Sequence, residues 1–276
     1  MSERDPWRSV DAQPNVRAMI SGLEARGSTP AQIRLRARFL RFVPVRRGAR
    51  VLEVGCGTGV VLRDLAPRVG RRGAVVGVDA SRTILATARR LCQADPRITL
   101  RHADGAQLPF ANDSFDTTLA MTVILHVADP STVVREMARV TRPGGRIGLQ
   151  DQDFGMLGVT HPDRELTDHI LDGVARHLYE EPHSGRRLPG LLREAGLEHV
   201  RVLTDFFQDT TLEPWTKMFL ERRGELAVRA GLADAATVQK WLDGFTALVA
   251  AGSFVFTMTY FGAVGVKPSA TVRRRR

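Results

Sequence analysis

The sequence predicts an α/β fold: a mostly parallel sheet with helices on both faces. Three observations carry this. Short β-branched runs alternate with helix-like stretches through the middle of the chain, and that repetition builds parallel sheets because each crossover helix covers a sheet face. The run Val51-Leu52-Glu53-Val54 leads directly into the cluster Gly55-Cys56-Gly57-Thr58-Gly59, and open α/β sheets bind ligands at the carboxyl ends of their strands. Near the end of the chain, Phe254 to Val266 is rich in aromatic and β-branched residues, as a strand would be.

The elements follow in order. Arg50 to Val54 reads as a buried strand, followed by a helix near Gly59 to Val69. Ala74 to Asp79 is the second strand. Ser81 is placed to cap a helix running to about Cys92. Ile98 to His102 and Phe115 to Met121 are strands three and four. Ser131 starts a helix to about Val140, ended by Pro143-Gly144-Gly145, and Arg146 to Gln150 is strand five. In the second half, Leu166, Ile170, Leu171, Val174 and Leu178 recur at helical spacing. Leu188 to Ala195 is a helix, Val200 to Phe207 a strand, and Pro214 to Ala230 and Ala235 to Ala251 two further helices.

With 276 residues, 43% hydrophobic and 25% charged, the chain has the composition of a globular core domain with insertions. No apolar run is long enough to span a bilayer. The first ten residues show no secretory h-region. Two cysteines are too few for a disulfide framework. A cytoplasmic setting is expected. The formal charge of +10 sits at the ends: residues 1–50 carry eleven arginines against four acids, and Lys267 with Arg273 to Arg276 adds +5. The stretch between is close to neutral, so the terminal arginines read as a solvated, disordered tail, and nucleic acid is not expected as a partner.

The glycine loop carries the strongest functional signal. Glycine lacks a Cβ, so the chain can turn sharply and a ligand can approach the backbone. The spacing Gly55, Gly57, Gly59 with Val60 following lacks the third glycine of a dinucleotide fingerprint. Two carboxylates follow at strand ends. Asp79 is placed to accept hydrogen bonds from a ribose diol, and Asp104, in Asp104-Gly105-Ala106, from an adenine amine.

Taken together, these motifs resemble the class I methyltransferases that use S-adenosylmethionine (SAM), densely over residues 36–152. Phe115-Asp116 with His126-Val127-Ala128-Asp129-Pro130 is similar to the subgroup that includes ubiquinone- and menaquinone-biosynthesis and natural-product methyltransferases. The resemblance implies a Rossmann-like sheet of seven strands with an antiparallel last strand and a helical lid. It implies SAM as cofactor, and no metal is expected. Gly55, Cys56, Gly57, Thr58 and Gly59 would wrap its methionine part, behind Glu53. Asp79 and Ala80 would hold the ribose, and Asp104, Gly105 and Ala106 the adenine. Ala120 and Met121 would lie near the sulfonium, and Arg36 or Arg38 would reach the carboxylate. Cys56 is read as a small filler, not a nucleophile.

The implied division is N-terminal helices at 1–49, contributing to the lid, and a SAM-binding core at 50–153. A helical insertion follows at 154–184, then core at 185–211. A second insertion at 212–252 forms the lid, ahead of the last strand at 253–268 and a basic tail at 269–276. Candidate catalytic side chains are His126, Asp151, Asp153 and His161, with the two carboxylates two residues apart on an extended segment. Phe154, Met156, Phe207, Trp215 and Tyr260 are candidates for an apolar acceptor pocket. The expected activity is methyl transfer to a small organic acceptor. The rivals are a nucleic-acid methyltransferase, favoured by the arginine-rich ends, and a non-catalytic SAM-binding interaction protein. Oligomeric state is not readable, and a homodimer stays open.

Overall fold

The computed structural model describes residues 5–179 and 181–269; residues 270–276 of the basic tail lie outside the described residues. A 3-10 segment, Pro6–Ala12, precedes α1 (Val16–Ser28) and α2 (Pro30–Phe42). The core then alternates: β1 (Arg50–Val54), α3 (Val60–Val69), β2 (Ala74–Asp79), α4 (Arg82–Cys92), β3 (Ile98–His102), β4 (Phe115–Met121), α5 (Pro130–Val140) and β5 (Thr141–Val159). It closes with α6 (Arg164–Leu178), α7 (Ser184–Glu194), β6 (Glu198–Asp209), α8 (Pro214–Arg229), α9 (Ala235–Ala250) and β7 (Phe256–Val266).

The strands form one sheet in the order β3-β2-β1-β4-β5-β7-β6. β7 runs antiparallel to both neighbours, and the other pairings are parallel. This is the Rossmann-like arrangement with an antiparallel last strand. Leu62 and Leu65 of α3, Phe39 and Leu40 of α2 and Leu85 of α4 pack on one face. Val134 and Met137 of α5 and Leu188 and Leu192 of α7 pack on the other. The central strands read as continuous apolar runs because both faces are covered.

Strand five differs from its expected extent. It continues through residues 154–159, which had been assigned to a helical insertion, because β7 supplies partners: Leu157 faces Met258 and Val159 faces Phe256, after a bulge between Asp153 and Leu157. β6 extends likewise, antiparallel to β7, to Asp209 opposite Phe256. The resulting three-stranded arm carries a third apolar core, where Phe207, Phe256 and Met258 meet Ile170 and Val174 of α6, Trp215 of α8 and Trp241 of α9.

At the other end of the sheet, Ser81 caps α4 as predicted, its hydroxyl accepting from the Ile84 N–H at 3.1 Å. Asp11 strengthens this cap from outside. Its carboxylate accepts from Ser81 Oγ at 2.5 Å and from the N–H groups of Arg82 and Thr83 at 2.9 and 3.2 Å. Burial opposes the charge, but these hydrogen bonds outweigh it and hold the Asp11 carboxyl down at about 2. Asp11→Ala is expected to cost about 1 kcal/mol, the scale of a lost helix cap, and to raise amide exchange in residues 5–12. Because the folded-state value lies below the ordinary carboxylate one, the stabilisation is present above the unfolded value and lost as pH falls towards about 2. Denaturation of wild type and variant at a series of pH values checks both points.

Candidate active site

A cavity of about 1080 Å³ opens over the carboxyl ends of β1 to β4, where the winding of the sheet reverses between β1 and β4. That is slightly above the ~300–1,000 Å³ usual for a small-ligand pocket. It runs from the glycine loop to the lid helix α8 without interruption.

The loop end is built by backbone geometry. Gly55, Gly57 and Gly59 have φ of +69°, +53° and +84°, a region that L side chains avoid. They do different work. A Cβ on Gly55 would lie 2.4 Å from Val123, and one on Gly59 2.7 Å from the Cys92 sulfur, so these two serve the turn and its packing. Gly59 does not line the cavity. A Cβ on Gly57 would meet only Leu23, at 3.5 Å, so Gly57 is where main chain lies open to a ligand. Its N–H donates to Asp79 Oδ2 at 2.9 Å, and Ser81 N–H donates to Asp79 Oδ1 at 2.9 Å. These bonds tie the loop to the end of β2. Burial pushes the Asp79 carboxyl up, against the pull of those two bonds. Asp104, after β3, accepts from Ala106 N–H through Oδ1 at 2.8 Å. Ala80, Gly105, Ala106, Cys56 and Met121 also face the cavity. Ala120 does not; it is buried in the sheet core.

Glu53 and Thr58 complete this wall. Glu53 is buried, and its Oε2 has no hydrogen-bond partner; the Thr58 hydroxyl has none either. Burial first, then the charges of Asp79 and Asp64, push the Glu53 carboxyl well above its ordinary value. Arg36 borders the cavity, but its Nε donates to Asp64 at 2.9 Å and its Nη1 to the Gly27 carbonyl at 2.8 Å. Arg38 points elsewhere, to Asp205 of β6 at 3.3 Å.

The lid end gathers His126, Gln150, Gln152, Phe154, Trp215 and Tyr260. His126 Nδ1 lies 2.7 Å from Asp5 Oδ2. A carboxylate only accepts, so Nδ1 carries the proton in this contact, and in the neutral imidazole Nε2 is then the acceptor. Trp7 and Tyr179 flank the ring, at 5.8 and 5.6 Å between centroids. Arg8 Nε donates to the His126 carbonyl at 3.0 Å. Tyr260 Oη accepts from Gln32 at 3.0 Å and from Gln152 at 2.9 Å, which leaves its own proton to donate. Thr122, with φ of +55°, turns the chain out of β4, and its hydroxyl accepts from Arg26 at 3.0 Å.

Several expected site residues are placed elsewhere. Asp151 and Asp153 do share a face, as the two-residue period requires, but it is the face of Ile147 and Leu149, turned into the core. Gln150, Gln152 and Phe154 take the cavity side. Asp151 accepts from the N–H groups of Leu125 and Gln152 at 2.9 and 3.1 Å. Asp153 is held by Arg186 through two bonds of 2.6 and 2.7 Å. His161 packs on Phe245 and meets the Trp241 carbonyl at 3.0 Å. Phe207 is interior, with its ring 5.0 Å from that of Trp215. Met156 lies in the bulged stretch and is exposed.

Sequence reasoning missed Asp5, Trp7, Gln32, Tyr179 and Arg223, which carry no local signal. It used Gln150 only as the end of strand five and did not single out Gln152, although the parity of Ile147 and Leu149 puts both on the cavity side. Among the described residues, no group of three or more His, Cys, Asp or Glu side chains is placed to hold a metal ion, and no helix is long and apolar enough to cross a membrane.

Residues 52–149 match the family described as Methyltransferase domain. A demethylmenaquinone methyltransferase of Bacillus licheniformis is 35% identical over 180 residues, covering 60% of this chain and 78% of that one. The chain belongs to the methyltransferase family. Across more of this methyltransferase's length, an uncharacterized 37.1 kDa protein in transposon TN4556 of Streptomyces fradiae is 32% identical over 251 residues, covering 89% of this chain and 70% of that one. Two other curated relatives are spanned over 58% and 49% of their lengths. Among solved structures, a Haemonchus contortus phosphoethanolamine N-methyltransferase 2 in complex with S-adenosyl-L-methionine superposes with a TM-score of 0.61 at 20% identity, covering 98% of this chain and 60% of that one. At that identity the likeness speaks for the fold.

Burial raises the Asp151 carboxyl to about 7, against the opposing pull of His126 and two backbone N–H donors. An acid whose folded value exceeds its unfolded one loses stabilisation as pH rises between the two. Asp151→Asn, which gives up one side-chain acceptor for a backbone N–H, should therefore be least stable relative to wild type at about pH 4, with the gap narrowing towards pH 7. Melting temperatures measured across that range give the test.

Proposed function

We propose that this chain transfers the methyl group of SAM to a small organic acceptor held under α8. The observation that carries this reading is the single cavity joining the Gly57–Asp79–Asp104 end to the aromatic chamber around His126.

The residues present suit the cofactor. The unpartnered Glu53 carboxylate oxygen beside the glycine loop calls for a cation, and the amino acid part of SAM carries an ammonium. The open backbone at Gly57 accommodates the methionine chain. Each oxygen of Asp79 accepts one backbone N–H and retains a lone pair for a ribose hydroxyl. Asp104, with one oxygen still available, suits the adenine amine. When bound, SAM supplies a methyl group already activated by the sulfonium, set for in-line displacement.

What is left to the protein is positioning, exclusion of water and the acceptor's proton. Phe154, Trp215 and Tyr260 form a largely apolar chamber suited to a natural-product or quinone-like acceptor. Asp5 holds His126 in the tautomer whose Nε2 can take a proton, the arrangement of a general base with its orienting carboxylate. Asp151 and Asp153, turned away from the cavity, support the site from beneath.

Calorimetric titration with S-adenosylhomocysteine is the direct test. Micromolar binding is expected, weakened by about 1–3 kcal/mol in Asp79→Ala, the scale of hydrogen bonds to a charged group. Gly57→Val should abolish binding, since it places a branched side chain in the cradle at a positive φ. Failure of the wild-type protein to bind would end this reading. For turnover, methyl-labelled SAM incubated with small-molecule extracts should give labelled product. His126→Gln should reduce that rate about 10²–10⁴-fold while leaving S-adenosylhomocysteine affinity unchanged.

A further inference from the structure

Arg223 is a buried charged side chain that meets no charge of opposite sign among the described residues. α8 buries Trp215, Leu220, Arg223, Gly224 and Ala227, so this arginine lies on the apolar face of the lid helix, 4% exposed. Its neighbours on α8 are paired at the surface: Lys217 lies 3.7 Å from Glu221, and Arg222 3.3 Å from Glu225. Among the described residues, no carboxylate pairs with Arg223. Its Nη1 has no hydrogen-bond partner, and its Nη2 reaches only the Tyr179 hydroxyl, at 3.5 Å. Burying a charge without a counter-charge is costly.

The surroundings restrict what can meet it. The guanidinium lies 4.7 Å from the ring centroids of both Phe154 and Phe219. These contacts offset part of the desolvation and occupy the cation with aromatic rings, leaving its N–H edges for a ligand. Such an edge is a planar fork of donors that matches a carboxylate. Arg223 lines the same cavity as His126, and a continuous aromatic wall joins them. Phe154 stacks on Tyr179 at 5.0 Å and 8°, and the Tyr179 ring lies 5.6 Å from that of His126.

We infer that Arg223 anchors a carboxylate, or a similarly planar oxyanion, on the acceptor, so that the substrate class is an anionic small molecule with an apolar or aromatic body. This rests on the reading of the chamber as the acceptor site. The anchored end would sit at the lid and the methylated end towards His126.

A matched probe pair, 2-naphthoate and 2-naphthamide, tests it by titration calorimetry on the full chain saturated with S-adenosylhomocysteine. The carboxylate is expected to bind at least about tenfold more tightly than the amide, the scale of a charge-assisted hydrogen bond. That preference should vanish in Arg223→Met and shrink in Arg223→Lys, which keeps the charge and loses the fork. The melting temperature of Arg223→Met should be unchanged or higher, since an apolar side chain replaces an unpaired buried cation. Equal affinities in the wild type, no measurable binding of 2-naphthoate, or a preference that survives Arg223→Met would overturn the proposal. Should the Met variant not fold, the wild-type pair and the Lys variant decide the same point. Titration of S-adenosylhomocysteine alone separates the two readings: its failure to bind removes the methyltransferase proposal, while the probe pair, run without it, still judges Arg223.

Discussion

β5 can run from Thr141 to Val159 because β7 lies beside it, and much of the site hangs on that pairing. β4 ends at Met121, opposite Gln150; beyond that point β7 is the strand that pairs with β5. The two-residue period of a pleated strand then sorts every side chain on the extension. Gln150, Gln152 and Phe154 go to the cavity, and Asp151 and Asp153 go beneath it. A shift of one residue in this register would put two carboxylates in the chamber and two amides and a phenylalanine in the core. The paired hydrogen bonds of Arg186 to Asp153, the backbone donors to Asp151 and the Gln152 hydrogen bond to Tyr260 each oppose such a slip.

The N-terminal segment supplies the second constraint. Within one short stretch, Asp11 caps α4 beside Asp79, while Asp5 fixes the ring of His126 and Arg8 its carbonyl. The glycine-loop end and the His126 end of the cavity are thus spanned by the same few residues. Local opening of this segment would release the α4 cap and the His126 ring at once, so the two ends of the cavity are coupled through one element.

Legibility in the sequence followed the range of the interactions. The glycine loop, the Ser81 cap, the strand-end carboxylates and the helices α8 and α9 are specified by residues a few positions apart, and their expected positions match the structure closely. The sequence reading ends the long arm short because its pairing depends on a partner about a hundred residues away. Asp5 meets His126 across 121 positions, and Gln32 meets Tyr260 across 228. Arg222-Arg223 reads in sequence as a charged helix face, and only the packing of α8 separates the exposed arginine from the buried one. The carboxylates after strand five were placed at the right position and on the wrong face, since proximity to a strand end says nothing of parity unless the core residues Ile147 and Leu149 are used to set it.

Buried ionisable groups stand at both ends of the cavity. At the loop end stand Glu53 and Asp79, buried acids pushed up by the lack of solvent; at the lid end stands Arg223, a buried cation with no acidic partner among the described residues. The Glu53 Oε2 and the Arg223 Nη1 are both without a hydrogen-bond partner among the described residues, so each end keeps one polar group for a ligand to meet. On the proposed reading, the acid end takes up the hydrogen bonds of the SAM ammonium and the guanidinium end those of an anionic acceptor, while a cation beside Arg223 would find no complementary partner. The two unpaired groups thus set by pairing what an apolar chamber of this size cannot set by shape alone: which way round each reactant lies.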